Sequence, residues 1–567
     1  MRATVAPLVC LAVFLAPITA RCQPAETIYH GGTIRTMCAA QPVAEALAVA
    51  GGSIVGVGRL ADMKALADGN TQFVDLGGTA LLPGFIDTHS HFWSALEYLT
   101  QANCWSPPAG DCRTVADVIG RLREIKQRRR LDAGQFVVGF GCDPDLLAEK
   151  RMPTRQELEG AFPDNPVILL HVSGHGAMLD GKALDRFAIG PDTPVPPGGV
   201  MTKDPATGAL SGLLFETAFL PVFARMPAPP AEDLLALVPQ AVGVYAAAGI
   251  TTAQEGATHA DQLALLRTAA TRGMLSIDVV SLAFVTDIEA IFGGKPPHAE
   301  RDYTNHLRIG GVKLMADGSP QAKTAYFTTP YLTGGPAGEK DWRGEPSFPQ
   351  ATFNDMVKRV YAGDAPMFVH CNGDAAIDML LEAHRAAAPD PARDRRTVAI
   401  HAQFVRPDQL ERFKAWRINP SFYTEHCFYF ADAHLANRGA EQTARISPLK
   451  SARALGLRCS NHTDFNVAPI DQLFTVWTAV NRVSRSGAVI GPEERVTPLE
   501  ALATLTTDAA HLYGEEDRKG SLEPGKLADL VILSADPCAV EPMAIREITV
   551  LETIKEGKTV WQREGGR

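Results

Sequence analysis

"LLPGFIDTHSHF", Leu81 to Phe92, is the stretch on which the fold turns. An apolar, strand-like run ends in two histidines separated by one residue, with an aspartate just before them. On a β-strand successive side chains point to opposite faces, so His89 and His91 share a face with Asp87, while Ser90 faces away. Two imidazoles side by side at the end of a buried strand suit a divalent metal. The alternative is a pair of histidines that cap a strand through water or backbone partners, and this stretch alone does not separate the two.

Outward from it, apolar strand-like runs alternate with longer helical stretches, the texture of βα units and a parallel sheet. Eight runs read as strands: "ALLPGFIDTH", "AGITTAQEGA", "LSIDVVSLAFV", "RIGGVKLMADG", "PMFVHCNGD", "TVAIHAQFV", "INPSFYTEH" and "LRCSNHTDF". Eight is the number that a closed (β/α)8 TIM barrel requires, and the barrel spans 81–515. Residues 101–230 break the rhythm and read as a lobe inserted after the first strand, with strands in "QFVVGFGCDPDL" and "NPVILLHVSGHGAMLD". Residues 26–80 and 516–563 share a short-strand, Gly/Pro-turn texture. The two chain ends are therefore expected to build one small β-sandwich domain together.

The chain has 567 residues and a formal net charge of −10, with no basic run, which argues against nucleic acid or an anionic membrane surface as partner. Residues 1–20 read as a secretory signal peptide: Arg2, an apolar stretch from Val5 to Ala16, and Ala20 at a cleavage edge. Export to the periplasm or beyond is the expectation. No later segment reads as a transmembrane helix, so no stable membrane insertion is expected once the signal is removed. Cys22 raises a lipoprotein reading that Arg21 does not suit. Cys104 and Cys112 bracket the Pro/Gly loop "CWSPPAGDC" and are expected to pair in an oxidising compartment. The partner expected is a small-molecule substrate, and the sequence leaves a homodimer open.

Chemistry enters through polar residues on the strand runs. Lys313 interrupts "IGGVKLMADG", His370 ends "PMFVH", His401 ends "TVAIH" and Asp464 ends "CSNHTD". Each falls at or near the C-terminal end of its strand, where barrel enzymes gather their active sites. Such groups are costly on buried strands unless paired or metal-bound.

"PGFIDTHSH", "VKLMADGSPQAKTA", "VHCNGDAAI", "AIHAQ" and "HTDFNVAP" closely resemble the amidohydrolase superfamily, in its family-3 branch of YtcJ-like proteins. The closing "KGSLEPGKLADLVIL" resembles that superfamily's return strand. The resemblance implies His89, His91 and Asp464 on one divalent metal and His370 and His401 on a second, with carboxylated Lys313 bridging both. One filled site is the alternative. Zinc suits imidazole and oxygen donors best, ahead of manganese, iron or nickel. The implied activity is that of an amidohydrolase, a hydrolase of carbon–nitrogen bonds other than peptide bonds: a metal-bound hydroxide attacks an amide-type bond of a small organic substrate, with Asp464 as catalytic base and acid. An exported dipeptidase, an N-acyl amino acid deacylase, a deaminase or a catalytically idle binding protein are the alternatives on the same scaffold. His175 in "SGHGAMLD" and His426 in "TEHCFYF" are candidates for substrate binding. His462 either contacts substrate or tunes Asp464. Asp374 reads as the cap of the helix that follows it.

Overall fold

Near-continuous Val/Ile/Leu runs bury both faces of a strand, and a sheet built from them is parallel with helices around it. The computed structural model describes residues 24–565, apart from 173, 175, 197–198, 205–206, 224, 227–228 and 337. The expected signal peptide and Cys22 lie outside the described residues.

The central sheet has eight strands: β1 (Phe85–Ile86), β2 (Ile250–Thr258), β3 (Asp278–Phe284), β4 (Leu307–Met315), β5 (Met367–Cys371), β6 (Val398–His401), β7 (Asn419–Phe422) and β8 (Ser460–Asn461). They pair in chain order, every neighbour parallel. Helices such as Asp374–Ala387 and Pro407–Trp416 supply the crossovers. β1 and β8 are shorter than their sequence runs. Beyond them the chain is held by other bonds: Asp464 N–H donates to His89 O at 3.0 Å and His91 N–H to Phe465 O at 2.9 Å. Thr463 Oγ1 donates to Asp87 at 2.6 Å. The segments that follow the first and last strands are thus tied to one another at their C-terminal ends.

Residues 27–83 and 530–562 contribute eight strands to a second sheet, in which Leu530–Leu533 from the far end pairs with Ala80–Pro83. The path branches at the strand Thr27–Arg35, which pairs with Gln72–Asp75 over its first half and with Ala80–Pro83 over its second. A third, six-stranded sheet lies between Ala102 and Glu216. Its core includes Cys104 and Cys112, which lie side by side as buried free thiols and not as the expected disulfide. Among the described residues no helix is long and apolar enough to cross a membrane.

At the N-terminal end of β3, Asp278 fastens the parallel sheet to the chain-end sheet. Its carboxylate accepts from Lys519 at 2.6 Å and Lys555 at 2.7 Å, and Lys555 also reaches Asp529 at 2.8 Å. Lys519 pairs in turn with Glu515, as does Arg308, both at 2.6 Å. Burial pushes the Asp278 carboxyl upward, but the two ammoniums outweigh that and hold it well below the usual carboxylate range. Removing one partner from such a network strands a buried charge. Asp278→Ala should therefore cost about 3–5 kcal/mol of stability, read as a lower denaturation midpoint. Because the folded-state pKa is depressed, this contribution is present above the unfolded value near ~4 and is lost as pH falls below it. The gap between the wild-type and variant midpoints should therefore shrink in acid.

Candidate metal centre

The C-terminal mouth of the central sheet brings His89, His91, Lys313, His370, His401 and Asp464 together. The ligand atoms of His89, His91 and Asp464 all lie within 4.8 Å of one another. His89 Nε2 stands 3.4 Å from Asp464 Oδ1 and 3.1 Å from Lys313 Nζ, and His91 Nε2 stands 3.9 Å from Asp464 Oδ1. On the other side, His370 Nδ1 and His401 Nε2 are 3.1 Å apart, and His401 Nδ1 lies 4.0 Å from Asp464 Oδ2. An ion with bonds of roughly 2.05 Å to nitrogen separates tetrahedral ligands by roughly 3.3 Å, so these spacings fit a coordinated cation.

The partners of the rings fix which nitrogen is free. Gln254 on β2 donates its amide hydrogens to Thr88 O at 2.6 Å and Tyr513 Oη at 2.7 Å, so its oxygen faces His89 Nδ1 at 2.8 Å. His89 then carries its proton on Nδ1 and turns a bare Nε2 toward Lys313 and Asp464. His370 Nε2 stands 3.0 Å from Gly318 O and 3.1 Å from Asn372 Nδ2, and its Nδ1 faces His401. Burial, with neighbouring positive groups, pushes His89 and His401 well below the ordinary imidazole value, so both are neutral, as a metal ligand must be. Burial likewise brings Lys313 down to about 7, and no carboxylate among the described residues lies within ion-pair distance of it. Burial raises the Asp464 carboxyl, against the pull of His91 and Lys313.

The backbone positions these groups at strain. His401 has φ 67° and Asp464 φ 49°, in the left-handed region where a residue with a Cβ pays an energetic cost. Gly256 is required by close approach, because a Cβ there would sit 2.7 Å from His89 Cε1.

Several sequence readings change here. The strand ladder ends at Ile86, so His89 and His91 reach the site from the turn beyond it. The Asp87 carboxylate is engaged by Thr463 and by the turn itself, through the His89 backbone and Ser90, and not by an imidazole. His462 is fully buried with both nitrogens engaged, Nδ1 by Ser421 Oγ at 2.9 Å and Nε2 by His401 Nδ1 at 3.1 Å. It orients His401 and presents no atom to a substrate. His426 opens the short helix His426–Tyr429 and is buried against Tyr423, with Nδ1 3.0 Å from His434 Nε2. His175 lies outside the described residues. Asp374 does not cap its helix: Gly373 holds that position, and the carboxylate accepts from Thr328 N at 2.9 Å and Arg406 at 3.0 Å.

Sequence reasoning missed the polar end of β2. Glu255 is buried, 3.8 Å from His91 Nδ1, and accepts from Trp93 N at 2.5 Å. Its signal was visible as an amide and a carboxylate interrupting "AGITTAQEGA". Asp317, fully buried, accepts the N–H groups of Asn372, Gly373 and Tyr326 at 2.8–3.0 Å, and so binds the loops after β4 and β5 together. Asp278, His306 and Glu556 also bring donor atoms within 4.8 Å. Lys519 and Lys555 already neutralise Asp278, which leaves little charge there for a cation.

The model of the amidohydrolase family matches residues 72–561, and the chain belongs to that family. It is a metal-dependent hydrolase acting on carbon–nitrogen bonds other than peptide bonds. Among its relatives is the N-substituted formamide deformylase of Arthrobacter pascens, 28% identical over 96% of this chain and 99% of that protein. The putative amidohydrolase YtcJ of Bacillus subtilis (strain 168) is 25% identical over 95% of this chain and 100% of its own. An uncharacterized metal-dependent hydrolase from Pyrococcus furiosus shares the fold with a TM-score of 0.71, at 24% identity, covering 90% of this chain and 99% of that one. The atrazine chlorohydrolase TrzN from Arthrobacter aurescens TC1, solved with zinc, superposes at a TM-score of 0.50 and 14% identity over 95% of this chain and 96% of that one. None of the alternative functions is favoured by these findings.

If Gln254 fixes the His89 tautomer, Gln254→Leu should weaken metal retention about 10–100-fold. Competition with a chelator, followed by elemental analysis, measures it. Retention equal to wild type would remove Gln254 from that role.

Proposed function

We propose that the eight-stranded sheet is a closed (β/α)8 barrel whose C-terminal mouth holds two divalent ions, best matched by zinc, and hydrolyses an amide-type bond of a small molecule. The observation that carries this is the convergence of four imidazoles, one buried carboxylate and one buried lysine, with neighbouring groups 3.1–4.0 Å apart. His89, His91 and Asp464 would hold one ion, and His370 and His401 the other. Lys313 lies beside His89 with no carboxylate partner, and an amine brought toward neutrality by burial is the form that captures CO2. Its carbamate would offer two anionic oxygens where an ammonium offers none, so it would bridge the pair. The zinc carried by the fold-related TrzN supports that choice of metal.

Bound metal supplies Lewis acidity, which polarises the carbonyl under attack and lowers the pKa of water. The protein's own groups do the rest. Gln254 holds the His89 ring in one tautomer, Gly318 and Asn372 hold the His370 ring, and His462 orients His401. Asp464, its carboxyl raised by burial, accepts a proton from the nucleophilic water and returns it to the leaving nitrogen. The deformylase relative supports a substituted amide as the substrate class. The proposal includes export, which rests on residues 1–20 alone.

Asp464→Asn should keep metal at the His370/His401 side and lose turnover by about 10²–10⁴-fold, measured on a panel of amides. Near-normal rates would exclude the aspartate from proton transfer. Protein equilibrated with ¹³C-bicarbonate should show a carbamate carbon resonance that Lys313→Met lacks. A spectrum without that resonance in the metal-loaded protein would refute the bridge.

A further inference from the structure

The four imidazoles of the centre are not held equally. His89 meets Gln254 at 2.8 Å, His370 meets Gly318 at 3.0 Å and His401 meets His462 at 3.1 Å. Among the described residues the His91 ring has no hydrogen bond of that kind. It stands instead between two carboxylates, with Nδ1 3.8 Å from Glu255 Oε1 and Nε2 3.9 Å from Asp464 Oδ1. Its side chain is 30% exposed, against 1% for His89 and 3% for His401, so packing constrains it least. A ring that is to offer one nitrogen to a cation needs its other nitrogen held.

Glu255, by contrast, is buried and fixed from several sides. His91 and Glu255 pair backbone to backbone across an isolated antiparallel bridge, which sets the end of β2 against the turn that carries the ligands. Helix Phe92–Thr100 follows at once, with His91 at its N-cap position, and the His91 side chain gives that helix no cap. The first-turn N–H groups therefore need an acceptor from elsewhere. Glu255 supplies it: Oε2 accepts from Trp93 N at 2.5 Å, and Oε1 accepts from Ala257 N at 3.2 Å. A carboxylate there also opposes the positive end of the helix. Glu97 holds the same tryptophan through the indole, accepting from Nε1 at 3.0 Å. Oε1 of Glu255, with one N–H bond, keeps capacity for a second donor, and His91 Nδ1 stands next to it.

We propose that Glu255 is the positioning residue of His91: it accepts the Nδ1 proton and so leaves Nε2 bare on the side of Asp464. A shift of roughly 1 Å closes the present gap to a charge-assisted hydrogen bond. Glu255 acts through His91, and its own place is set by the helix start that it caps. β2 then serves both histidines of the turn, Gln254 for His89 and Glu255 for His91. The inference rests on the reading of this cluster as a metal centre.

A double-mutant cycle on metal retention tests this, with zinc-loaded protein competed against a chelator and read by elemental analysis. Glu255→Leu should weaken retention about 10–100-fold. Glu255→Gln, which keeps an acceptor oxygen, should recover part of that loss. His91→Ala should weaken retention as well, and Glu255→Leu added to it should change retention by less than about twofold, because the ring through which Glu255 acts is gone. A residue that only caps the helix would lower retention by the same factor in both backgrounds. Equal factors in the two backgrounds, or retention by Glu255→Leu equal to wild type, overturns the proposal. Should Glu255→Leu fail to fold, Glu255→Gln takes its place in the cycle, with weakening expected only where His91 is present. A wild-type protein that retains no metal overturns the metal-centre reading and the proposal with it, whereas one that retains metal without these differences overturns the proposal alone.

Discussion

Six ionisable groups share one buried mouth of the central sheet, and everything else in the structure accommodates that crowding. Charges in a low-dielectric site are costly unless opposed or coordinated. Here the compensation within the protein is incomplete: among the described residues Lys313 has no carboxylate at ion-pair distance, and burial drives His89 and His401 to their neutral form. A cluster of bare nitrogens and one carboxylate is a poor core and a good ligand set. The groups around it act as supports: Gln254, Ser421, Gly318 and His462 each use a hydrogen bond to hold a ring.

The two ends of the sheet divide the work. At the N-terminal end of the strands the buried charges pair among themselves: Asp278, Asp529 and Glu515 oppose Lys519, Lys555 and Arg308. That network joins the parallel sheet to the chain-end sheet. At the C-terminal end the charges are left partly unpaired, and the backbone accepts left-handed conformations at His401 and Asp464 to bring them together. The opposite face, with its paired charges, supplies rigidity.

The inserted six-stranded sheet lies beside the helix Phe92–Thr100. Its strands give an apolar wall to the helix that follows His91, so the helix has one end at the metal ligands and its side against a cleft. One fold can serve many reactions, so the residues around the mouth, and not the sheet itself, carry the choice of substrate.

The sequence alone determined the eight parallel strands and their order, because runs such as "RIGGVKLMADG" are apolar on both faces and break only where a polar residue is used. It also singled out Lys313, His370, His401 and Asp464, since each interrupts an apolar strand near its C-terminal end. Residues that act through long-range packing escaped it. Gln254 and Glu255 matter because β2 lies beside the turn after β1, and Asp87 turned to Thr463 because the last strand segment closes against the first. Asp374 looked like a helix cap by its position in the chain, yet Arg406 and Thr328 arrive from distant loops and claim its carboxylate. The pattern of apolar runs is local, and a sequence displays it. The partner of a buried polar atom is settled only when segments hundreds of residues apart are packed together.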